Sequence, residues 1–308
     1  MAKILIVGSL NMDFVIDVDE MPKIGETIIC EGFELFPGGK GANQAYAVGK
    51  LGGEVSMIGA VGKDAYGEKL IENLKSVGVI TEGIEIIKNC NTGTAFITVN
   101  QIGENSIIVI PGANNSITKE TIDKNITLID DCDIVVMQLE IPIEIVMYVA
   151  TLAKQKGKTV ILDPAPAPKN LPDELLKNID IIKPNETELK TLTGIDTDCT
   201  ENIVQAARIL INKGVGKVIV TLGSRGSMLI TDDTYKHFKV KKVKVIDSTA
   251  AGDSFTAAFA LWVAKGKTCE EAIEFANRVS TVVVTRKGAQ TSIPNYDEVV
   301  NLEKHVLD

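Results

Sequence analysis

Histidine is scarce in this 308-residue chain, which contains only His237 and His305. With so few imidazoles, histidine-based metal sites and Ser–His or Cys–His catalysis are disfavoured. Cysteine offers no substitute, because the five thiols are odd in number, widely spaced and without a C-x-x-C pair. This spacing predicts reduced core thiols in a cytosolic protein, and neither a disulfide framework nor a zinc site. The cysteines are Cys30, Cys90, Cys132, Cys199 and Cys269.

Long apolar runs and concentrated positive charge are also missing. No stretch approaches the roughly 18 apolar residues that a membrane-spanning helix needs. The N-terminal run MAKILIVGSL is too short for a signal peptide and fits a buried first strand. The net charge is −9, with Lys and Arg scattered. We therefore expect a cytoplasmic protein with no nucleic-acid or membrane partner, although a local pocket for a small anion stays compatible.

The common nucleotide-binding signatures are absent as well. G-x-x-x-x-G-K-[ST] occurs nowhere, because no Gly-Lys pair has the required upstream glycine. G-x-G-x-x-G fails in GVGKVI, where Ile219 stands at the last position. The sequence therefore predicts neither a P-loop nor a dinucleotide-binding Rossmann site.

Apolar, β-branched runs alternate with helix-like segments along the chain. The strand-like runs are 4–7, 55–61, 133–139, 159–163, 179–182 and 217–223. The helix-like segments are 40–51, 64–76, 143–156, 186–193, 201–213 and 253–264. This alternation predicts an α/β fold with three layers, α/β/α, around a mostly parallel sheet. Ligands in such folds sit at the carboxyl ends of the strands.

Two stretches, at about 11–36 and 92–111, do not follow this alternation of strands and helices. The first alternates like strands around a Pro–Gly turn, and the second predicts a hairpin turning at 103–105. We expect them to form a small β-sheet beside the main domain. Such a sheet is either a lid over a ligand site or a set of extra edge strands. No linker or repeat interrupts the chain, which predicts one domain over residues 1–308.

A glycine-rich stretch, PGGKGANQAYAVGKLG, begins at residue 37. Residues 37–39 predict a tight turn that a ligand can approach closely. Lys40 and Asn43 follow on the first helical turn, with side chains suited to bonding hydroxyls. The alternative is an ordinary strand–helix turn without a ligand.

A single acid follows small residues in DSTAAGDSFTAAFA, residues 247–260. Ala251 and Gly252 would leave amides uncovered at the start of a helix, where they could bind an anion and stabilise developing negative charge. Asp253 stands where a carboxylate could accept a proton from a nucleophile. The alternative, equally open at this point, is that Asp253 only caps its helix.

Two further strand ends carry polar groups. Asn185 and Glu188 lie three apart after Pro184, an arrangement suited either to a ligand or to a helix cap. In VTLGSRGS, Thr221, Ser224 and Arg225 could contact phosphates, or the segment could be a plain β-turn before a strand.

Seven motifs, taken together, place these residues in a recognisable order. They are GSLNMD (8–13), GGKGANQA (38–45), MQLEIP (137–142), KPNETE (183–188), TLGSRG (221–226), DSTAAGDSF (247–255) and TRKGAQTSIP (285–294). They closely resemble the ribokinase-like family of carbohydrate kinases over about residues 3–295. Many members have Gly where this chain has Ala250. Ribokinases within the family often carry Ala, which favours them over fructokinases and adenosine kinases.

The resemblance implies ATP-dependent phosphorylation of D-ribose to D-ribose 5-phosphate. It makes Asp253 the catalytic base and the backbone of Ala250, Ala251 and Gly252 an anion hole. The implied sugar-binding positions are Asn11, Met12, Asp13, Gly39, Lys40, Gly41, Ala42, Asn43, Glu140 and Asp253. The implied nucleotide contacts are Asn185, Thr221, Leu222, Gly223, Ser224, Arg225, Gly226, Gly252 and Asn277.

The resemblance also implies two cations and a dimer. Mg²⁺ would accompany ATP, held mainly through water, with Glu188 as an outer-shell partner. K⁺ would activate the enzyme from a loop cage built mostly of backbone carbonyls. The cage positions are Asp247, Thr249, Val283, Arg286, Gly288 and Ser292. The two interrupting stretches would be the family's lid, which would also form a homodimer contact.

Two other functions stay open. Another sugar or nucleoside kinase of the same family is one, but a nucleoside needs an apolar base pocket and this site is polar at Asn11, Asp13 and Lys40. A sugar-binding regulator without catalysis is the other, and it predicts damage around Asp253, which is intact. The sequence leaves 2-deoxyribose open as an acceptor.

Overall fold

The computed structural model describes residues 3–102 and 105–305. These residues form thirteen strands in two separate sheets. The strands are β1 Lys3–Val7, β2 Asn11–Val18, β3 Glu34–Gly38, β4 Glu54–Gly62, β5 Ile80–Ile87, β6 Gly93–Asn100, β7 Asn105–Ile110, β8 Ile134–Met137, β9 Thr159–Leu162, β10 Ile181–Ile182, β11 Lys217–Thr221, β12 Ser227–Ile230 and β13 Tyr235–Phe238.

The main sheet has nine strands in the order β13-β12-β11-β10-β9-β8-β1-β4-β5. Every neighbouring pair from β5 to β11 is parallel, and β12 and β13 extend the sheet in antiparallel fashion. Parallel strands need crossover connections, which the intervening helices supply. The predicted mostly parallel α/β sheet is confirmed.

Helices cover both faces of the main sheet. They are α1 Lys40–Lys50, α2 Ala65–Lys75, α3 Lys119–Lys124, α4 Ile126–Asp131, α5 Ile143–Gln155, α6 Asp173–Leu176, α7 Glu186–Thr193, α8 Thr200–Asn212, α9 Ala251–Ala264, α10 Cys269–Val283 and α11 Tyr296–His305. In β1, Ile4 and Ile6 pack in a core with α1, α2, α9 and α10. Leu5 and Val7 point the other way, into a second core with α5, α7 and α8. This alternation along one strand gives the three layers.

A small sheet in the order β3-β2-β6-β7 stands apart from the main sheet. It is built from the two stretches, at about 11–36 and 92–111, that depart from the alternation of strands and helices. Within it, β2 pairs with β6 in parallel. Residues 103 and 104 of the predicted hairpin turn lie outside the described residues, and Asn105 already belongs to β7. Every residue of β7 is exposed, including Ile107 and Ile108.

Two local expectations were wrong. Residues 37 and 38 do not turn: Pro37 and Gly38 pair with Met12 and Asn11 inside β3, so the change of direction falls on Gly39 alone. Helix α9 begins at Ala251 and not at residue 253. Its cap, Ala250, adopts a left-handed φ of 58°, which local propensity disfavours for alanine.

Candidate active site

Asp253 is buried in the first turn of α9, and α1 holds its carboxylate. Asn43 Nδ2 donates to Oδ2 at 2.9 Å, and Gln44 Nε2 lies 3.4 Å from Oδ1. The cap position belongs to Ala250, so Asp253 does not begin the helix as a capping residue would. The carboxylate is instead oriented by two amide side chains, an arrangement that suits a group aimed at a ligand.

The backbone before Asp253 turns through small residues. The left-handed Ala250 redirects the chain so that helical amides begin at Ala251. The Ala251 amide donates to Ser248 O at 3.2 Å. A ligand that used this amide would therefore have to replace Ser248 as its partner.

Two glycines permit a close approach of the site's own strands. A Cβ on Gly38 would lie 2.0 Å from Asp13 Oδ2. Gly39 has a φ of 86°, and a Cβ there would lie 2.6 Å from the Asn11 amide nitrogen. These glycines let β3 and the start of α1 pack directly on β2, in addition to any room that they leave for a ligand.

Two carboxylates, Asp13 and Glu140, and the ammonium of Lys40 crowd the space beside Asp253. Burial, together with the charges of Glu140 and Asp253, raises the pKa of Asp13 to about 7. Burial also raises the pKa of Glu140 above its usual range. For Lys40, burial would lower the pKa, but the surrounding carboxylates, Asp253 first among them, raise it above its ordinary value. Lys40 is therefore charged and is held in a net acidic environment.

Hydrogen bonds fix Glu140 and the two predicted asparagines. Ser9 Oγ donates to Glu140 Oε2 at 2.5 Å, and the Lys40 amide donates to the same oxygen at 3.2 Å. Asn114 Nδ2 donates to Asn11 Oδ1 at 2.8 Å. Gln290 Nε2 donates to Asn43 Oδ1 at 3.1 Å. These bonds to Oδ1 orient the amide NH₂ group of each asparagine, and the NH₂ group of Asn43 donates to Asp253 Oδ2.

Four predicted sugar-site residues contribute no side chain to this space, and two of them are Gly39 and Gly41. Met12 and Ala42 pack in the first core. A Cβ on Gly41 would lie 2.6 Å from the Ser9 amide nitrogen. Any contact that these positions make with a ligand is therefore through their backbone.

The strand ends predicted to contact a nucleotide are brought to the same edge of the sheet. Asn185 and Glu188 form a capping box at the start of α7, with both bonds at 2.8 Å. Burial raises the pKa of Glu188. Residues 223–225 form a short 3-10 turn after β11, flanked by the buried Leu222 and the left-handed Gly226. Arg225 pairs with Glu186, so its charge is already partly used.

A cavity of about 440 Å³ lies beside this edge, and Asn277 of α10 contributes to its wall. The lining residues are Lys236, His237, Phe238, Lys239, Val240, Lys241, Val243, Glu274, Asn277, Arg278, Thr281 and Val299. Asn277 Nδ2 donates to Ser227 Oγ at 3.0 Å. Ser280, three residues further on, donates to Ala251 O at 3.0 Å. The cavity is therefore about one helical turn from the start of α9.

The two loops predicted to hold a monovalent cation lie side by side. The amides of Ile246 and Asp247 donate to Val284 O, and the Gly288 amide donates to Asp247 Oδ2 at 2.9 Å. Partial burial would raise the pKa of Asp247, but hydrogen bonds from Thr249 and Gly288 keep it below its usual range. Carbonyl and carboxylate oxygens of this kind suit a hard cation.

The described residues contain neither a candidate metal-binding cluster nor a helix that could span a membrane. In residues 3–102 and 105–305, no three His, Cys, Asp or Glu side chains cluster as a metal site. Among the described helices, none is long and apolar enough to cross a membrane. All five cysteines are free.

Gln44, Asn114 and Gln290 were missed from the sequence although all three touch predicted site residues. Gln44 lies inside the motif GGKGANQA and Gln290 inside TRKGAQTSIP. Their presence in these motifs was the one sequence signal that could have identified them. Asn114 had no such signal, because it reaches Asn11 from a turn 103 residues away.

Comparisons with known proteins establish the class of protein that carries this fold and site. The model of the pfkB family of carbohydrate kinases matches residues 1–296, so the chain belongs to that family. It is 38% identical to a Haemophilus influenzae protein named ribokinase, over 97% of this chain and 98% of that protein. It is 37% identical to a Salmonella typhi protein named deoxyribokinase, over 96% of each. The structure of Arabidopsis thaliana ribokinase complexed with ribose and ATP superposes with a TM-score of 0.92 at 38% identity, covering 99% of both chains.

Proposed function

We propose that this protein transfers the terminal phosphoryl group of ATP to the 5-hydroxyl of D-ribose, giving D-ribose 5-phosphate. Membership of the carbohydrate kinase family supports phosphoryl transfer to a sugar. The observation that carries the proposal is the buried Asp253 carboxylate, held by Asn43 at the start of α9 beside a polar space.

Asp253 is the catalytic base in this mechanism. A sugar hydroxyl is a poor nucleophile until a neighbouring group accepts its proton. In the proposed mechanism, the Asp253 carboxylate accepts that proton. The amides of Ala250, Ala251 and Gly252 would stabilise negative charge on the transferred group. The Ala251 amide would exchange Ser248 for a phosphoryl oxygen as the substrates bind.

The acceptor is recognised by groups that pair with several hydroxyls. They are Asn11, Asp13, Gly39, Lys40, Asn43 and Glu140, and Gly41 and Ala42 supply backbone. Sites that hydrogen-bond substrate hydroxyls discriminate strongly against analogues lacking them. The deoxyribokinase similarity makes 2-deoxyribose the second candidate acceptor.

ATP would lie along the edge formed by the carboxyl ends of β10 and β11 and the start of β12. The turn at 223–226 would contact phosphates through Ser224 and through backbone amides, while Thr221 and Asn185 flank it. The cavity of about 440 Å³ at Asn277 is large enough for an adenine ring.

Two cations would assist. Mg²⁺ would neutralise phosphate charge, and the lack of a carboxylate cluster in the described chain fits binding through water and phosphates, with Glu188 nearby. K⁺ would fit the oxygen donors of the paired loops, where it would stabilise the turn that leads to Ala251. The donor positions are Asp247, Thr249, Val283, Arg286, Gly288 and Ser292.

The small sheet would serve as a lid and as a homodimer contact. Its β2 carries Asn11 and Asp13, so movement of this sheet would move two acceptor-binding groups. The exposed Ile107, Ile108 and Val109 of β7 form an apolar edge that a second copy could cover. The five unpaired cysteines support a cytoplasmic location.

A phosphorylation screen tests the acceptor assignment. Purified protein with Mg-ATP and K⁺ is offered D-ribose, 2-deoxyribose, fructose, fructose 6-phosphate and adenosine, and ADP formation is coupled to product identification. We expect the highest kcat/KM for D-ribose. Faster turnover of adenosine or fructose 6-phosphate would refute the proposal, and faster turnover of 2-deoxyribose would select the second candidate.

A further inference from the structure

A buried ion pair lies beneath the catalytic turn, outside the groups that the proposed mechanism uses. Lys183 Nζ is 2.9 Å from Asp163 Oδ2, and the two side chains are 6% and 2% exposed. Lys183 follows β10 and Asp163 follows β9, which are adjacent parallel strands. Burying two charges is costly, and the attraction between them often only balances that cost. The pair therefore calls for a reason other than stability.

The ammonium of Lys183 contacts the residue that precedes the base. Its Nζ donates to Gly252 O at 3.3 Å. The Thr256 hydroxyl lies 3.0 Å from the same carbonyl and 3.0 Å from Asp163 Oδ2. A Cβ placed on Gly252 would be 3.3 Å from Lys183 Nζ. The first turn of α9 thus rests directly on the ion pair.

The carboxylate of Asp163 connects to the base itself. Gln44 Nε2 lies 3.1 Å from Asp163 Oδ2 and 3.4 Å from Asp253 Oδ1, so one amide group spans both acids. Gln138 Nε2 donates to Gln44 Oε1 at 2.6 Å and fixes the amide orientation. Asp163 Oδ1 is buried and has no hydrogen-bond partner among the described residues. A buried carboxylate oxygen without a protein donor adds to the cost of burying the pair.

We propose that Lys183 is a positioning residue for phosphoryl transfer, with Asp163 as its counter-ion. It holds the Gly252 carbonyl, and through it the amides of the anion hole, while Asp163 and Gln44 hold Asp253. Lys183 Nζ is engaged by Asp163 Oδ2 and the Gly252 carbonyl, so its effect passes through α9. This inference rests on the proposed function, because it assigns a role within that reaction.

A double-mutant comparison tests the inference in the full-length protein. Lys183→Met removes the ammonium and leaves the Asp163 charge buried and unpaired. Asp163→Asn with Lys183→Met removes both charges, which is expected to restore the melting temperature close to the wild-type value. Lys154 of α5 and Asp180, which precedes β10 at the opposite end of that strand, form a half-buried control pair at 2.6 Å, and Asp180 Oδ2 accepts from the Val160 amide.

We expect kcat to fall by at least about tenfold in Lys183→Met, the scale of one lost charge-assisted hydrogen bond. The double variant should recover its melting temperature but not its kcat, with both KM values within about threefold of wild type. The double variant Lys154→Met, Asp180→Asn should keep its wild-type kcat.

Recovery of kcat together with stability in the double variant would overturn the inference, as would a rise in KM with kcat unchanged. Wild-type protein that phosphorylates no sugar would overturn the proposed function and this inference with it. An inactive Asp253→Asn variant beside a fully active double variant would refute the inference alone.

Discussion

The charge on Asp13 is expected to destabilise the folded protein at neutral and alkaline pH. Asp13 is 8% exposed, and its pKa rises from 3.8 to about 7 through burial and the neighbouring Glu140 and Asp253. Because the folded-state pKa exceeds the unfolded value, the folded protein binds more protons between about pH 4 and pH 7. Stability from this group is fully present below about pH 4 and is lost as the pH rises through about 7.

The size of the effect follows from the two pKa values. At about 1.4 kcal/mol per pH unit, the difference between 3.8 and about 7 corresponds to roughly 4 kcal/mol. Asp13→Asn removes the charge while keeping the shape. At pH 8 its free energy of unfolding should therefore exceed that of the wild type by up to roughly 4 kcal/mol, and the gap should shrink towards pH 4.

Urea unfolding at pH 5 and pH 8 measures this gap. Asp17→Asn is the matched control, because Asp17 lies on the same strand β2 but is exposed, and its gap should stay near zero. A gap for Asp13→Asn that is equal at both pH values, or a variant less stable than wild type at pH 8, would refute the reasoning. In the active enzyme, kcat/KM for ribose should rise as the pH passes through about 7, because ionised Asp13 is an acceptor for sugar hydroxyls.

Three further changes have expected outcomes. Ala250→Gly should raise the free energy of unfolding by about 0.5–1 kcal/mol in urea, because a left-handed alanine is strained, and a decrease would contradict this. Replacing tetramethylammonium by K⁺ at matched ionic strength should raise kcat severalfold, since K⁺ would hold the loop before Ala251, and equal rates would count against the cation site. Ile108→Lys should convert a dimer to a monomer in sedimentation, because Ile108 is 65% exposed on β7, whereas a monomeric wild type would dispose of the dimer proposal.

The layered fold was predictable because its signals are local. Residues 4–7 form an unbroken apolar run, as expected for a strand that is covered on both faces, and Ile4 and Leu5 do pack in opposite cores. The separate small sheet was likewise visible as two stretches without helical periodicity. Helix α9 starts earlier than predicted because Ala250 accepts a left-handed conformation that local propensity opposes. The Ser280 hydroxyl of α10 donates to Ala251 O at 3.0 Å, a tertiary contact at this boundary that the local sequence does not reveal.

The site was predictable only in part. The motifs pointed to Asp253, Lys40 and Glu140, because charged side chains in such positions are typical of ligand binding and proton transfer. The partners of Asp253 were not visible, because Gln44 reaches it across 209 positions in the chain. Lys183 stood in the quoted motif KPNETE, but nothing in that motif indicates a contact with Gly252. Long-range hydrogen bonds of this kind leave no periodic trace in a sequence.

Turnover of Asp253→Asn tests the central claim most directly. Asn keeps the shape and can still accept a bond from Asn43, but it cannot take the hydroxyl proton. We expect kcat to fall by about 10²–10⁴-fold or more, with the melting temperature and ribose binding little changed. Asp64→Asn is the matched control, because Asp64 caps α2 by accepting from the Gly67 amide at 2.9 Å, and it should keep its kcat. An Asp253→Asn enzyme with near-wild-type kcat would contradict the account.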